Sequence, residues 1–172
     1  MRGRMIFTFA VGVVALLAFL SLSSRLAPKE PEATPTPTIR ATPTPLNPDA
    51  FHATLTARPG DPSLTVGTMA TVSAAFKNTG TATWAKGTPS EVRLGIRDGD
   101  KTLSTSGMAV DWPLPDRPAV QQETTVRPGE SATFTFQVKG VKAGTYKVGL
   151  RPVVDGVTWL EDPNLTVTIT VR

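Results

Sequence analysis

The chain has no cysteine among its 172 residues and only one histidine, His52. The missing cysteines exclude disulfide bonds, thiolate metal ligands, a cysteine nucleophile and attachment through a lipidated cysteine. A lone histidine supports neither a zinc site nor a catalytic dyad, so we interpret His52 as an ordinary surface residue. A serine nucleophile elbow and a glycine-rich phosphate loop are also missing. We therefore expect no enzymatic activity, no metal and no cofactor.

A cluster of basic charge is missing as well, although the formal net charge is +4. Residues 1–48 carry five basic and two acidic side chains, and the remaining 13 basic and 12 acidic residues leave the rest of the chain at +1. The basic residues of that part are scattered singly, whereas phosphate binding needs a cluster. We therefore expect no nucleic acid among the partners.

The N-terminal segment contains a long stretch without charge. An apolar run from Ile6 to Leu20 follows Arg2 and Arg4, and the uncharged stretch of about 17 residues approaches the length of a spanning helix. Paired arginines stay on the inner side of the membrane. Residues 1–26 are therefore predicted to be a single-pass signal anchor, with the rest of the chain outside the cytoplasm. A cleaved signal peptide and secretion is the alternative, although Ser21-Leu22-Ser23 is a poor cleavage site.

Residues 27–48 are rich in proline and threonine and contain two ATPTP repeats. Proline lacks a backbone N–H and fixes φ, so neither a helix nor a sheet ladder is expected here. An extended, disordered spacer of this length would reach about 70 Å. The sequence thus predicts a linker that holds the following domain away from the membrane.

From residue 49 to residue 172, apolar and polar residues alternate, which is typical of strands with one buried face. The alternation covers residues 70–76, 92–96, 131–138, 146–150 and 165–171, with a weaker strand at 51–57. Turn residues separate these strands, and Asp98-Gly99 predicts a hairpin after the second. The predicted fold class is all-β, with one domain forming a two-sheet antiparallel β-sandwich.

Three segments of this domain carry a family resemblance. They are FKNTGTATW (Phe76 to Trp84), RPGESATFTF (Arg127 to Phe136) and GTYKVGLRPVVDGVTWL (Gly144 to Leu160). In order and spacing they resemble the four-tryptophan immunoglobulin-like family, the "next to BRCA1" type, in a bacterial envelope form. The resemblance covers roughly residues 64–172; Trp84 matches one family tryptophan, while Phe76 and Leu150 stand where others are expected. It implies an immunoglobulin-like sandwich and a non-catalytic binding module.

Candidate contact residues lie in two predicted loops, 111–119 and 155–163. Trp112 stands in the proline-rich segment DWPLPDRPA, and it either closes the end of the sandwich or faces outward as a contact anchor. Trp84 and Trp159 have apolar neighbours, which favours packing in the core or at its rim. The predicted binding residues are Trp112, Asp116, Arg117, Asp155 and Trp159.

These features favour a membrane-anchored, extracytoplasmic binding module whose partner is a cell-surface protein or a cell-wall glycan. Three alternatives stay open: a carbohydrate-binding module with exposed tryptophans, a structural spacer, and a hydrolase or calcium-dependent enzyme that uses loop carboxylates. Exposure of the tryptophans tests the first alternative. Two carboxylates converging in a cleft would favour the last.

Overall fold

The computed structural model describes residues 45–172, so the predicted anchor and nearly all of the predicted linker lie outside the described residues. No helix within this range is long and apolar enough to cross a membrane. Twelve strands and one short α-helix form here. They are β1 Ala53–Ala57, β2 Ser63–Leu64, β3 Met69–Asn78, β4 Trp84–Ala85, β5 Val92–Ile96, α1 Thr102–Thr105, β6 Ala109–Val110, β7 Ala119–Val120, β8 Thr125–Val126, β9 Ser131–Lys139, β10 Gly144–Val154, β11 Thr158–Trp159 and β12 Leu165–Val171.

β4 pairs with β8 in a separate two-stranded sheet, and the other ten strands form two facing sheets. One has the order β1-β3-β9-β6, and the other has the order β2-β12-β10-β5-β7, with β11 paired to β10. Immunoglobulin constant domains pair strands ABED in one sheet and CFG in the other. Here β1-β3-β9-β6 matches ABED and β5-β10-β12 matches CFG. The predicted all-β sandwich is therefore confirmed, and its strand order is immunoglobulin-like.

One pair of strands departs from the predicted antiparallel arrangement. β2 runs parallel to β12, with Ser63 opposite Thr170 and Leu64 opposite Val171. The reason is that the first two strands belong to different sheets. β1 pairs in one sheet, and the segment 58–62, which contains proline and glycine, leads the chain to the other sheet, where β2 forms. The chain keeps its direction when it changes sheet, so it meets the last strand in parallel.

The long strands follow the alternation of the sequence because one side of each faces the core. In β9, Ala132, Phe134, Phe136 and Val138 are buried, while the residues between them are partly or fully exposed. Phe134 meets Phe76 of β3 edge-to-face, with ring centroids 5.8 Å apart. The six strands predicted from the sequence are all present, as β1, β3, β5, β9, β10 and β12.

The hairpin predicted at Asp98-Gly99 is wrong, although the turn itself forms. Asp98 and Gly99 have φ of 61° and 66°, the conformation that a tight turn requires. The chain then enters α1 and β6, and β6 pairs with β9 in the opposite sheet. Burial of Leu103 and Met108 stabilises this crossing. The dipeptide determined the local reversal but not the partner of the next strand.

Asn78 connects two of the segments that carried the family resemblance. Its side chain is fully buried, and Nδ2 donates to the carbonyls of Ala82 (2.8 Å) and Val126 (3.1 Å). The backbone N–H of Asn78 donates to the Glu130 carbonyl, and the Gly129 N–H donates to the Asn78 carbonyl, each at 2.8 Å. The NTG and PGE motifs of this chain therefore stabilise the end of the sandwich where β3 ends and β9 begins.

Candidate functional site

The outer face of the second sheet has a glycine in each of two neighbouring strands. Gly95 in β5 and Gly149 in β10 occupy outward positions, because their neighbours Leu94 and Leu150 are fully buried. A glycine inside a strand marks a place where another group approaches closely. Both glycines lie beneath the side chains of other residues, and these side chains form the candidate site.

Trp159 covers Gly95. The short strand β11 pairs with the end of β10, with Trp159 opposite Val153. This pairing brings the indole so close to Gly95 that an added β-carbon would lie 2.6 Å from Cη2 and 2.7 Å from Cζ3 of the ring. Trp159 is 37% exposed, and Val153 beside it is 3% exposed. A large aromatic side chain is thus held at the surface on a floor formed by a glycine.

Two guanidinium groups lie over the Trp159 ring. The Cζ atoms of Arg117 and Arg151 are 4.9 Å and 5.9 Å from the ring centroid, within the range of a cation–π interaction. Trp159 also lines two concavities, one with Arg97 and Arg151 and the other with Arg117 and Asp155. The indole therefore stands at the boundary between two arginine-lined hollows.

The two charged residues that line the concavity with Asp155, Arg117 and Asp155 itself, belong to a network of ion pairs. Asp155 accepts from Arg117 Nε at 2.8 Å and lies 3.2 Å from Arg93 Nη1. Arg117 also pairs with Asp116 at 3.2 Å, and Arg93 pairs with Glu91 at 2.8 Å. Burial raises the pKa of Glu91, but hydrogen bonds from the Gly87 N–H and Arg93 outweigh it and hold the pKa below its usual value. These carboxylates are neutralised by arginines, which fixes Arg117 beside Trp159.

The other concavity has free hydrogen-bond donors. It has a volume of about 280 Å³ and is lined by Arg97, Asp98, Gly99, Arg151 and Trp159. Arg97 lies across Gly149, where an added β-carbon would be 3.4 Å from the guanidinium Cζ. Arg97 Nη2 donates to Asp162 at 2.9 Å, while its buried Nε has no partner in the described range.

Arg151 differs from the other arginines of this face because no carboxylate of residues 45–172 pairs with it. Its Nε donates to the Leu160 carbonyl at 2.5 Å, and its Nη2 lies 3.4 Å from the Trp159 carbonyl. These contacts orient the guanidinium through the backbone of the segment that carries Trp159. The positive charge of Arg151 is left without an ionic partner in the described structure.

The structure brings together four of the five predicted binding residues: Asp116, Arg117, Asp155 and Trp159. Trp112 is held elsewhere. Its ring packs edge-on against Phe136, with centroids 5.6 Å apart, and its Nε1 donates to the Gln137 carbonyl at 2.8 Å. No hydrogen bond, ion pair or aromatic contact of the described residues joins Trp112 to the other four. Trp84 is fully buried, as predicted.

Four residues of the site were not predicted from the sequence: Gly95, Gly149, Arg97 and Arg151. The available signal was a glycine at an outward position in each of two strands that otherwise alternate regularly, LGI in β5 and VGL in β10. The arginines had no local signal, because their role depends on which strands become neighbours. Arg151 lies opposite Gly95 only through the pairing of β10 with β5.

His52 forms an exposed ion pair rather than a catalytic arrangement. Its Nδ1 lies 2.5 Å from Glu161 Oε1, and Glu161 Oε2 accepts the Ala53 N–H at 2.7 Å. The hydrogen bond and the negative charge of Glu161 raise the pKa of His52. Burial raises the pKa of Glu161, but the bonds from Ala53 and His52 outweigh it and lower that pKa. The pair joins the start of β1 to the segment after Trp159.

Loop carboxylates come together at one place in the part of the chain that the structure describes, and an arginine pairs with both of them there. No group of three or more His, Cys, Asp or Glu side chains within residues 45–172 could hold a metal ion. Glu91 and Asp155 line one concavity together, but Arg93 lies between them and pairs with both. This arrangement resembles a structural ion network more than a pair of catalytic acids.

Comparison with known proteins gives no family. No family model matches the chain, and no curated protein matches it. Among solved structures, the crystal structure of the CARDB domain of the PF1109 protein from Pyrococcus furiosus, in complex with di-metal ions, is 17% identical over 75% of this chain and 95% of that chain, with a TM-score of 0.42. The solution structure of the same domain is 20% identical over 70% of this chain and 95% of that one, also with a TM-score of 0.42.

A third similar structure is the beta-glucosidase from Listeria innocua in complex with glucose. It is 13% identical over 70% of this chain, which matches only 16% of that enzyme, with a TM-score of 0.35. All three TM-scores are below 0.5. The immunoglobulin-like assignment therefore rests on the strand order of this chain itself.

Proposed function

We propose that this chain is a membrane-anchored, extracytoplasmic binding module that engages a protein partner through the surface around Trp159. One observation carries the proposal: an exposed tryptophan held on Gly95, with the guanidinium groups of Arg117 and Arg151 over its ring. Tryptophan and arginine dominate the energetic hot spots of protein interfaces. The surrounding ion pairs of Asp155 and Asp116 form the polar rim that such a centre requires.

The mechanism that we propose is recognition by a surface arranged before the partner arrives. Arg117 is fixed by two carboxylates, and Arg151 is fixed by the backbone carbonyl of Leu160. Trp159 rests on the sheet through Gly95 and Val153. Few side chains then need to be ordered on binding, which lowers the entropic cost of association.

The proposed linker enters the domain next to this surface. Pro45 and Leu46, the first described residues, line a concavity together with Asp155, Gly156 and Val157. On this proposal, residues 1–26 anchor the chain, residues 27–48 act as the spacer, and the domain presents the surface around Trp159. Membership of the four-tryptophan immunoglobulin-like family remains part of the same proposal.

A carbohydrate-binding function is less well supported by the geometry. Sugar stacking needs a free aromatic face, and Trp84 is fully buried while Trp112 packs against Phe136. Only Trp159 is substantially exposed, and arginines lie over its ring. A sugar would have to stack on a ring that already contacts the guanidinium groups of Arg117 and Arg151.

The test is capture of partners by the full chain, purified in a mild detergent and immobilised. Solubilised envelope proteins and purified cell wall are offered separately. We expect a specific protein to be retained by the wild type and lost with Trp159→Ala, since removal of a hot-spot residue weakens binding about 30-fold or more. Val141→Ala is the matched control, because Val141 is similarly exposed at 42% and lies in the turn between β9 and β10, outside both candidate loops.

Two results would count against the proposal. Retention of the same protein by Trp159→Ala, in a variant whose circular dichroism shows an intact fold, would remove Trp159 from the interface. Capture of cell wall alone, dependent on Trp159, would favour the carbohydrate function instead. For the anchor, we expect the full chain to stay with membranes after alkaline extraction and the chain lacking residues 1–26 to be released.

A further inference from the structure

We propose that the concavity between Arg97, Arg151 and Trp159 receives the carboxylate side chain of a glutamate or aspartate from the protein partner. This inference rests on the proposed function and names the chemistry of the group that the surface recognises. It draws on four features of the concavity: its free donors, its unpaired charge, its size and the acidic residue at its edge.

The free donors belong to both arginines. A guanidinium has five N–H donors in a planar fork that matches a carboxylate. Arg97 uses only Nη2, toward Asp162, and Arg151 uses Nε and Nη2, toward backbone carbonyls. Nη1 of each has no hydrogen-bond partner within residues 45–172. Both side chains line the same hollow, so an entering carboxylate finds donors from two directions.

The unpaired charge singles out Arg151. Arg93, Arg97 and Arg117 each form an ion pair with at least one carboxylate. Arg151 is partly buried and pairs with none in the described structure. A carboxylate supplied by the partner would give Arg151 the ion pair that the other arginines of this face already have. The nearby indole would contact the methylene groups of that acidic side chain.

The volume of the hollow and the negative charge of Asp98 at its edge restrict which group can bind there. The hollow of about 280 Å³ lies just below the range of 300–1,000 Å³ that is usual for whole small-molecule ligands, and it suits a single side chain. Asp98 lines the same hollow and is exposed. Its negative charge repels a dianion such as phosphate more strongly than it repels a carboxylate. A singly charged side chain is therefore the better fit.

The test uses defined peptides as probes of the full chain in detergent. The acidic probe is acetyl-Ser-Gly-Glu-Gly-Ser-amide, and the matched neutral probe has glutamine in place of glutamate. The readout is the NMR signal of the Trp159 indole N–H, assigned by its loss in Trp159→Phe. We expect a saturable shift with the acidic probe and a shift about fivefold smaller with the neutral probe at the same concentration, because a hydrogen bond to a charged group is stronger than one to a neutral amide.

Variants assign the binding to the hollow. Arg151→Gln is expected to weaken binding about tenfold, because a charge-assisted bond is lost. Arg127→Gln is the matched control, since Arg127 is a highly exposed arginine in another turn, and it should leave binding unchanged. Asp98→Asn is expected to tighten binding about two- to threefold by removing repulsion. Asparagine tolerates the positive φ of this position, so the variant should keep its fold.

The inference is overturned by equal shifts with the two peptides, by full binding in Arg151→Gln, or by weaker binding in Asp98→Asn. A shift of the same size with inorganic phosphate or polygalacturonate, at the same concentration of charged groups, would also overturn it, because the hollow would then not select a protein carboxylate. If the peptides fail while partner capture still requires Trp159, only this inference fails and the proposed function stands.

Discussion

Replacing Gly95 by alanine tests whether Trp159 is truly seated on the sheet. The added β-carbon would lie 2.6 Å from Cη2 and 2.7 Å from Cζ3 of Trp159, and 3.2 Å from Cγ1 of Val153. Carbon atoms pack optimally at about 3.5 to 4.0 Å, so the indole must move outward by about 1 Å. Overpacking of this kind costs about 1–3 kcal/mol. Alanine in a strand otherwise gains about 0.5–1 kcal/mol over glycine.

The two effects have opposite signs, and a double-mutant cycle separates them. In the wild-type background we expect Gly95→Ala to lower the free energy of unfolding by about 1–2 kcal/mol. In Trp159→Ala the clash with the ring is gone, and the same substitution should be neutral or stabilising by up to about 1 kcal/mol. The coupling between the two sites is then about 2 kcal/mol, which is typical of residues in direct contact.

The assay is urea unfolding of the full chain followed by circular dichroism. With a slope of about 2 kcal/mol per molar urea, the wild-type background should show a midpoint lower by about 0.5–1 M. The fluorescence of Trp159 should also shift to longer wavelength as the ring is lifted into water. Equal effects of Gly95→Ala in both backgrounds would refute the proposed contact between Gly95 and the indole.

Three further predictions concern the turn after β3 and the segment at the start of β1 that packs against it. Asn78→Ala leaves two buried carbonyls and the Gly80 N–H without their partner, so we expect a loss of about 3 kcal/mol in urea unfolding. Gly80→Ala places a β-carbon against the Ala50 carbonyl oxygen and 2.7 Å from the His52 nitrogen. Both are backbone atoms that cannot swing away, so a loss of about 3 kcal/mol or more is expected. NMR titration should give His52 a pKa above 6.5, and Glu161→Gln should return it toward that value.

The pH dependence of the His52–Glu161 pair has a definite sign. The raised pKa of His52 means that its contribution to stability is complete below pH 6.5 and is lost as the pH rises through the folded-state pKa. The lowered pKa of Glu161 means that its contribution is present above pH 4.5 and is lost as the pH falls through the folded-state pKa. Both side chains are about half exposed, so the effect should stay below about 1 kcal/mol.

The predictions for Asn78→Ala, Gly80→Ala and the pKa of His52 can each be contradicted by one result. Asn78→Ala with wild-type stability would mean that water satisfies the freed groups. A fully stable Gly80→Ala would show that the segment around Ala50 can move away from the turn. A His52 pKa that does not respond to Glu161→Gln would mean that the ion pair does not form in solution.

Most of the fold could be predicted from the sequence because strand formation here is expressed locally. In β9 and β12, every second residue is apolar, and each apolar side chain lies in the core. Asp98-Gly99 likewise predicted a turn that exists. The pairing after that turn could not be predicted, since it depends on where Leu103 and Met108 find buried space. The short strands also had too few residues to show a period.

The candidate site could be predicted only in part, because it too depends on which strands lie beside each other. The loops at 111–119 and 155–163 supplied Arg117, Asp155 and Trp159 by their composition, and the structure brings these three together. Trp112 had the same kind of sequence context, yet its ring packs against Phe136. Whether a tryptophan faces the core edge or the solvent depends on the strand beside it, and local sequence does not specify that strand.

The sequence by itself determined the alternation of the strands and the positions of the turns, because both depend on residues that are close along the chain, and its composition alone excluded cysteine-based chemistry. Only the tertiary structure decided which hollow keeps free donors. Gly95, Arg151 and Trp159 come from three strands, and strand pairing alone places the indole on the glycine and leaves Arg151 without a carboxylate. The physical reason is that hydrogen bonds between strands join residues that are distant in sequence, and no local sequence pattern specifies which strands pair.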